Sequence, residues 1–219
     1  MERFLLVAEK DSLMRKIQEV YDKHRNEVVK KIGGEIDFTA LSGHIVKWYE
    51  PEDYPEWNDH NWKNVPLPLV PEPFLIKPED GKYQKEKLKE FQAAIKSGKY
   101  SGYICACDPD PEGGLIYWRA AKYLKIDDKP TLRFFQNSLT EKEILEALLN
   151  MENFFENNRD RKLLEQALSR SQFDWLVGMN CTRAMTLKAG VLSHIGRVKA
   201  PTIKIVYDES KVSYSDLLQ

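Results

Sequence analysis

No apolar stretch in the 219-residue sequence approaches the roughly 18 residues needed to cross a bilayer. Met1–Glu9 is too short for a signal peptide and runs into charge at Glu9 and Lys10, so no secretory leader is expected. Cysteine is scarce, with three residues: Cys105 and Cys107 sit two apart in an apolar run, and Cys181 is far off. A lone C-x-C is a poor zinc site and no disulfide framework, so buried free thiols in a reducing cytoplasm are the expectation. An excess of one charge is missing too. With 33 Lys and Arg against 34 Asp and Glu the formal net charge is -1, so no global basic field announces a nucleic-acid partner. Any such contact must come from locally clustered cations. No internal repeat or low-complexity segment is present.

What is present reads as strands alternating with helices. Phe4–Ala8 is an apolar run that ends in charge at Glu9, as a buried strand would. Asp11 is placed to cap a helix in which Leu13, Ile17, Val20 and Tyr21 recur at helical spacing. Ile36, Phe38 and Ala40 alternate with polar residues as a second strand. Seven prolines between 51 and 78 exclude helix from most of residues 50–80, so a long excursion packed by Trp57, Trp62 and Phe74 is expected. Helix returns over Lys82–Lys96, with Leu88, Phe91 and Ile95 as its buried stripe. Tyr103–Cys107 is another strand, Leu115–Leu124 a helix and Thr131–Phe135 a strand. Thr140 with Glu143 forms a capping box opening a helix through Leu149, and 157–188 is helical with a break. The predicted class is α/β, a mostly parallel sheet flanked by helices and followed by a mainly helical segment.

Two of these strands end in acid, one at Glu9 and the other at Asp108, Asp110 and Glu112. Ligands gather at the carboxyl ends of strands in an open parallel sheet. If the two strands are neighbours, four carboxylates converge and repel one another unless a cation sits among them. Oxygen donors without His or Cys suit Mg²⁺, which needs only a few protein carboxylates. Asp108 and Asp110 point the same way on an extended backbone that Pro109 and Pro111 stiffen, and Gly113-Gly114 permits a sharp turn into the next helix. The alternatives at this level are a solvated acidic turn, a calcium loop, whose 12-residue pattern is not completed, and an aspartyl-nucleophile phosphatase. Glu112 and Pro111 do not match the last of these.

An N-terminal strand closing on Glu, with a later strand closing on D-x-D-x-E-G, resembles the toprim domain. Three further segments resemble the type IA DNA topoisomerases, within them the topoisomerase III-like group. Leu41-Ser42-Gly43-His44-Ile45 is similar to that family's S-x-G-H-[IL]; Asp174-Trp175-Leu176-Val177-Gly178-Met179-Asn180-Cys181-Thr182-Arg183-Ala184 to its D-W-L-[VI]-G-x-N-x-[ST]-R-A helix; and Gly196-Arg197-Val198-Lys199-Ala200-Pro201-Thr202-Ile203 to its G-R-V-Q-[ST]-P-T-L. The resemblance implies a toprim domain over 1–150, with a Pro/Trp-rich insertion at about 50–80, and a DNA-groove segment over 151–219. It implies Glu9 as the acid/base group near the scissile phosphate, and Asp108, Asp110 and Glu112 as holders of Mg²⁺, with Mn²⁺ a possible substitute and no ATP. It implies contacts to single-stranded DNA from the region of Arg183. Arg197 is a phosphate candidate, with Lys199 beside it and Arg170 on a different face of the helix. His44 reads as a site-edge residue or a structural turn His, and Trp175 and Phe173 as core. A cytoplasmic, nucleoid-associated location follows.

The sequence departs from D-P-D-R-E-G-E at Pro111 and Gly114, which removes a cation and a carboxylate from the motif. The family's nucleophilic tyrosine lies well downstream of G-R-V-x-x-P-T, and neither Tyr207 nor Tyr214 has its context. The expectation is therefore a front end, inactive alone, that partners a tyrosine-bearing portion in cis or in trans. The competing readings are a non-catalytic single-stranded-DNA-binding module and a stand-alone toprim nuclease or primase-like enzyme.

Overall fold

The computed structural model describes residues 1–210. The chain divides into two compact units, one of Met1–Trp48 with Ile76–Leu168, the other of Tyr49–Leu75 with the residues from Ser169 onward. The first contains β1 (Glu2–Ala8), α1 (Asp11–Ile32), β2 (Gly34–Ala40), β3 (Val46–Trp48), β4 (Ile76–Pro78), α2 (Lys82–Lys96), β5 (Gly102–Ala106), α3 (Pro111–Tyr123), β6 (Thr131–Arg133), α4 (Glu141–Leu149) and β7 (Glu152–Asn153). Helix α5 (Asn158–Ala189) begins in this unit, and α6 (Lys199–Glu209) lies in the second.

The five-stranded sheet has the order β2-β1-β5-β6-β7, parallel except for the β6–β7 pair. This is the mostly parallel α/β class that the alternation of apolar runs implies. β1 from Phe4 onward and β5 are apolar because both faces are covered there, and side chains alternate between those faces. Leu5, Val7, Cys105 and Cys107 enter a core with Leu88 and Phe91 of α2 and Leu115 and Tyr117 of α3. Phe4, Leu6, Ala8, Ile104 and Ala106 enter the opposite one, with Leu13, Ile17 and Val20 of α1 and Ile144 and Leu148 of α4.

The chain leaves β1 through α1 to β2 on one side, and leaves β5 through α3 to β6 on the other. The point between β1 and β5 is therefore a topological switch, and their carboxyl ends carry Glu9 and Asp108.

Several local expectations change. Asp11 is the first helical residue of α1 rather than its cap; Lys10 holds that position without a side-chain cap, and Asp11 instead accepts from Ser42 Oγ at 3.0 Å. The diglycine makes no turn, because α3 has already begun at Pro111 with Asp110 as N-cap. Pro at the first helical position, where an N–H has no partner anyway, favours that start. Helix α5 runs unbroken across the stretch where a break was expected. No helix among the described residues is long and apolar enough to cross a membrane.

In the second unit, Trp175 is buried, donates from Nε1 to Tyr49 O at 2.8 Å, and packs against Trp57 and Phe74. Asn180 pairs with the backbone of Leu69 through both amide atoms, at 2.6 and 2.9 Å. The Pro-rich excursion thus finds its packing partner in α5. Phe173, read as core beside Trp175, is instead 54% exposed.

Candidate active site

Parallel pairing aligns Ala8 with Ala106, so Glu9 and the residues after β5 leave the sheet side by side. Lys10 Nζ lies 3.3 Å from Glu9 Oε1 and donates to Asp108 Oδ2 at 3.1 Å. Two carboxylates from strands about a hundred residues apart in sequence thus share one ammonium, whose pKa is raised by the hydrogen bond to Asp108 and the charge of Glu9. Glu9 is the more enclosed partner, its side chain 13% exposed against 37% for Asp108.

The other two acids have different employment. Asp110 Oδ1 accepts from Gly113 N at 2.7 Å, capping α3. Glu112 Oε1 is 2.9 Å from His44 Nε2, which places His44 at the edge of the acidic group. Loop 41–44 is tied to the same spot by Leu41 N donating to Ala8 O and Gly43 N donating to Glu9 O. Ser42 and Gly43 both have positive φ, 59° and 92°, and the second suits glycine. The structure therefore brings Glu9 and Asp108 to one cation. Among the described residues, no group of three or more His, Cys, Asp or Glu is arranged to hold a metal ion.

Beneath the loop lies a buried clamp. Arg133 Nη1 donates to Cys105 O, Cys105 Sγ and Cys107 O at 3.3, 3.0 and 3.0 Å, and Nη2 donates to Asp108 O at 2.8 Å. Its Nε is 3.5 Å from Asp160 Oδ1 but not aligned for a hydrogen bond. Burial opposes the Cys105 thiolate, but the Cys107 thiol and the Arg133 charge outweigh it and hold Cys105 down to about 7; the Cys107 thiol is pushed up. Cys105 and Cys107 are free and buried, as the apolar run implied.

A cavity of about 420 Å³ opens beside Lys10 and Asp108, lined also by Ser12, Lys16, Gln136 and Asn137. It lies at the N-terminus of α1, where backbone N–H groups and the helix dipole favour an anion. Gln136 is 6% exposed and its Oε1 has no partner among the described residues. Sequence reasoning missed Lys10, Lys16 and Gln136. Lys10 carried a signal, since it directly follows Glu9 at the strand end; the other two carried none.

The remaining candidates lie in the second unit. Arg183 is only 3% exposed, its Nη2 donates to Glu52 Oε1 at 2.5 Å, and its guanidinium lies 4.8 Å from the Trp62 ring centroid. Arg197 forks onto both oxygens of Asp174, which raises its pKa. Arg170 is exposed on α5, and Lys199 is exposed at the start of α6. Tyr207 is 55% exposed on α6, and Tyr214 lies outside the described residues.

The two glycines after Glu112 are not equivalent. A Cβ on Gly113 would lie 2.3 Å from Asp108 O and 2.7 Å from Asp108 N, backbone atoms that cannot swing aside, whereas one on Gly114 meets nothing closer than 3.8 Å. We expect Gly113→Ala to displace the Asp108 loop and lower the urea midpoint clearly. Gly114→Ala should be neutral or stabilise by up to about 1 kcal/mol, because it removes a helix-interior glycine. Equal midpoints for the two variants would contradict this placement of the loop.

A mostly parallel sheet with an acid at the end of β1 and an acidic turn after the neighbouring β5 is the arrangement that the toprim resemblance implies. The chain belongs to the Toprim domain family, which it matches over residues 4–139. Residues 158–214 match the family described as DNA topoisomerase. The chain is similar to DNA topoisomerase 3 of Bacillus licheniformis, 30% identical over 94% of this chain, and to DNA topoisomerase 3 of Staphylococcus aureus strain USA300, 32% identical over 92%. It spans 27% of the length of each of these relatives.

Proposed function

We propose that this chain is the phosphate- and metal-handling part of a type IA, topoisomerase III-like enzyme that acts on single-stranded regions of negatively supercoiled DNA without ATP. The observation that carries the reading is the Glu9–Lys10–Asp108 group at the switch point between β1 and β5. Glu9, enclosed at the strand end, is positioned to relay the proton given up by the attacking hydroxyl to a leaving 3′ oxygen once Lys10 has turned to the phosphate. Lys10 and the α1 N-terminus supply positive charge for a phosphate on the same face. A nucleophilic tyrosine comes from the downstream portion, in cis or in trans, because neither Tyr207 nor Tyr214 has the family's sequence context; the 219 residues alone leave DNA uncut.

The donor chemistry fits magnesium. All candidate donors are carboxylate oxygens, and Mg²⁺ commonly takes one or two carboxylates with waters and substrate phosphate. Glu9 and Asp108 already share a cation, so Asp108 with Glu9 or Asp110 would hold the ion once Lys10 turns to the phosphate. Glu112 would sit behind His44 as a supporting acid. Bound magnesium would position phosphate and offset its charge. Calorimetry of the purified chain should show weak Mg²⁺ or Mn²⁺ binding that Asp108→Ala plus Asp110→Ala reduces at least tenfold. Unchanged binding by a folded double variant would overturn the assignment.

Arg170, Arg197 and Lys199 are proposed to contact the DNA backbone. Among the described residues Lys199 has no carboxylate partner to leave behind, so Lys199→Ala should lower the salt slope of single-stranded DNA binding by about one unit. An unchanged slope would remove Lys199 from the interface.

A further inference from the structure

The second unit holds a cavity of about 390 Å³ lined by Trp62, Gly178, Met179, Arg183 and Leu192, with Glu52 at its wall. Its one buried cation is half used. Arg183 Nη2 is engaged by Glu52 and the guanidinium face lies against Trp62, but Nη1 is buried with no acceptor among the described residues. A buried guanidinium N–H left unpaired is unfavourable; the Thr182 hydroxyl in the wall is already engaged with the Ile195 backbone, and Met179, Leu192 and Trp62 carry no side-chain oxygen. An occupant that is flat, largely apolar and equipped with a hydrogen-bond acceptor would satisfy both the walls and Nη1. Phosphate would not: Glu52 already neutralises Arg183, so an added anion would carry an unbalanced charge into a largely apolar space.

We propose that this cavity receives one unstacked base of single-stranded DNA, a ring acceptor taking Arg183 Nη1–H and the ring faces packing on Met179 and Leu192. The occupant is a nucleic-acid base because Gly178, Met179, Arg183 and Leu192 all fall in the stretch that matches the DNA topoisomerase family, so the inference rests on the topoisomerase reading above. Arg183 then contributes through base contact, not through counterion release. Its loss weakens binding without changing the salt slope, unlike the loss of an exposed phosphate-contacting lysine.

The test is an anisotropy titration of the 219-residue chain with two labelled single-stranded 12-mers of equal phosphate count, one of ordinary sequence and one built from abasic residues. The ordinary strand should bind on the order of tenfold more tightly, the value of one base stacked and hydrogen-bonded. Arg183→Lys should bring the ratio down to within twofold of unity at an unchanged salt slope. Because Arg183 is buried and its replacement is open to misfolding, Gly178→Leu is the second variant. A Cβ at Gly178 meets nothing within 4 Å, so a larger side chain has room to start into the cavity that Gly178 lines. It should abolish the preference equally. Equal binding of the two strands, or a preference that survives in Gly178→Leu, overturns the base pocket and leaves DNA binding standing. Binding of neither strand overturns both readings.

Discussion

Replacing Arg133 with Met should cost about 3–5 kcal/mol of folding stability, the penalty for breaking a buried ion pair from one side. Arg133 and Asp160 are almost fully enclosed, with side-chain exposures of 1% and 2%. Methionine fills a similar volume but returns no donor to Cys105 O, Cys107 O or Asp108 O. Among the described residues Asp160 would keep one cation, the partly exposed Arg159, at 3.1 Å. Arg133→Lys should recover only part of the loss, because a single ammonium cannot span carbonyls that a planar fork reaches together. Urea denaturation of the three proteins measures this directly. A loss below about 1 kcal/mol for Arg133→Met would show that the clamp is not what holds the end of β5.

The second large effect concerns Glu9. With a tyrosine-bearing portion supplied, Glu9→Gln should lower covalent cleavage of a labelled single-stranded oligonucleotide by about 10² to 10⁴, the usual value of a positioned general acid. Glutamine keeps the size and a hydrogen-bonding oxygen but cannot deliver the proton, so DNA affinity should change little. Lys10 would lose one of its two carboxylates and keep Asp108. A variant that cleaves at the normal rate would remove Glu9 from the chemistry. One that fails to bind DNA would make it a structural residue.

The sequence made the central strands easy to find. Phe4–Ala8 and Tyr103–Cys107 are apolar throughout because both of their faces are covered, and charge begins where each leaves the sheet. Their terminal acids could be named for the same reason. The strands β6 and β7, of three and two residues, are too short for any period to show. The start of α3 was legible in principle: Asp-Pro at 110–111 is a cap followed by a favoured first residue, but the diglycine behind it pointed the other way. Partner choice was not legible. Glu112 meets His44 across 68 positions and Arg183 meets Glu52 across 131, distances at which sequence spacing says nothing about contact. That is why four carboxylates expected at one centre resolve into two that share a lysine, one that caps a helix and one paired with a histidine.

The most direct test of the account is relaxation of negatively supercoiled plasmid in Mg²⁺ without ATP, by the 219-residue chain alone and by the same chain joined to a tyrosine-bearing downstream portion of a DNA topoisomerase 3. The chain alone should relax nothing, and the joined protein should relax the plasmid in a reaction that chelator stops. Covalent DNA adducts formed by the chain alone, or a joined and folded protein that relaxes nothing, would contradict it.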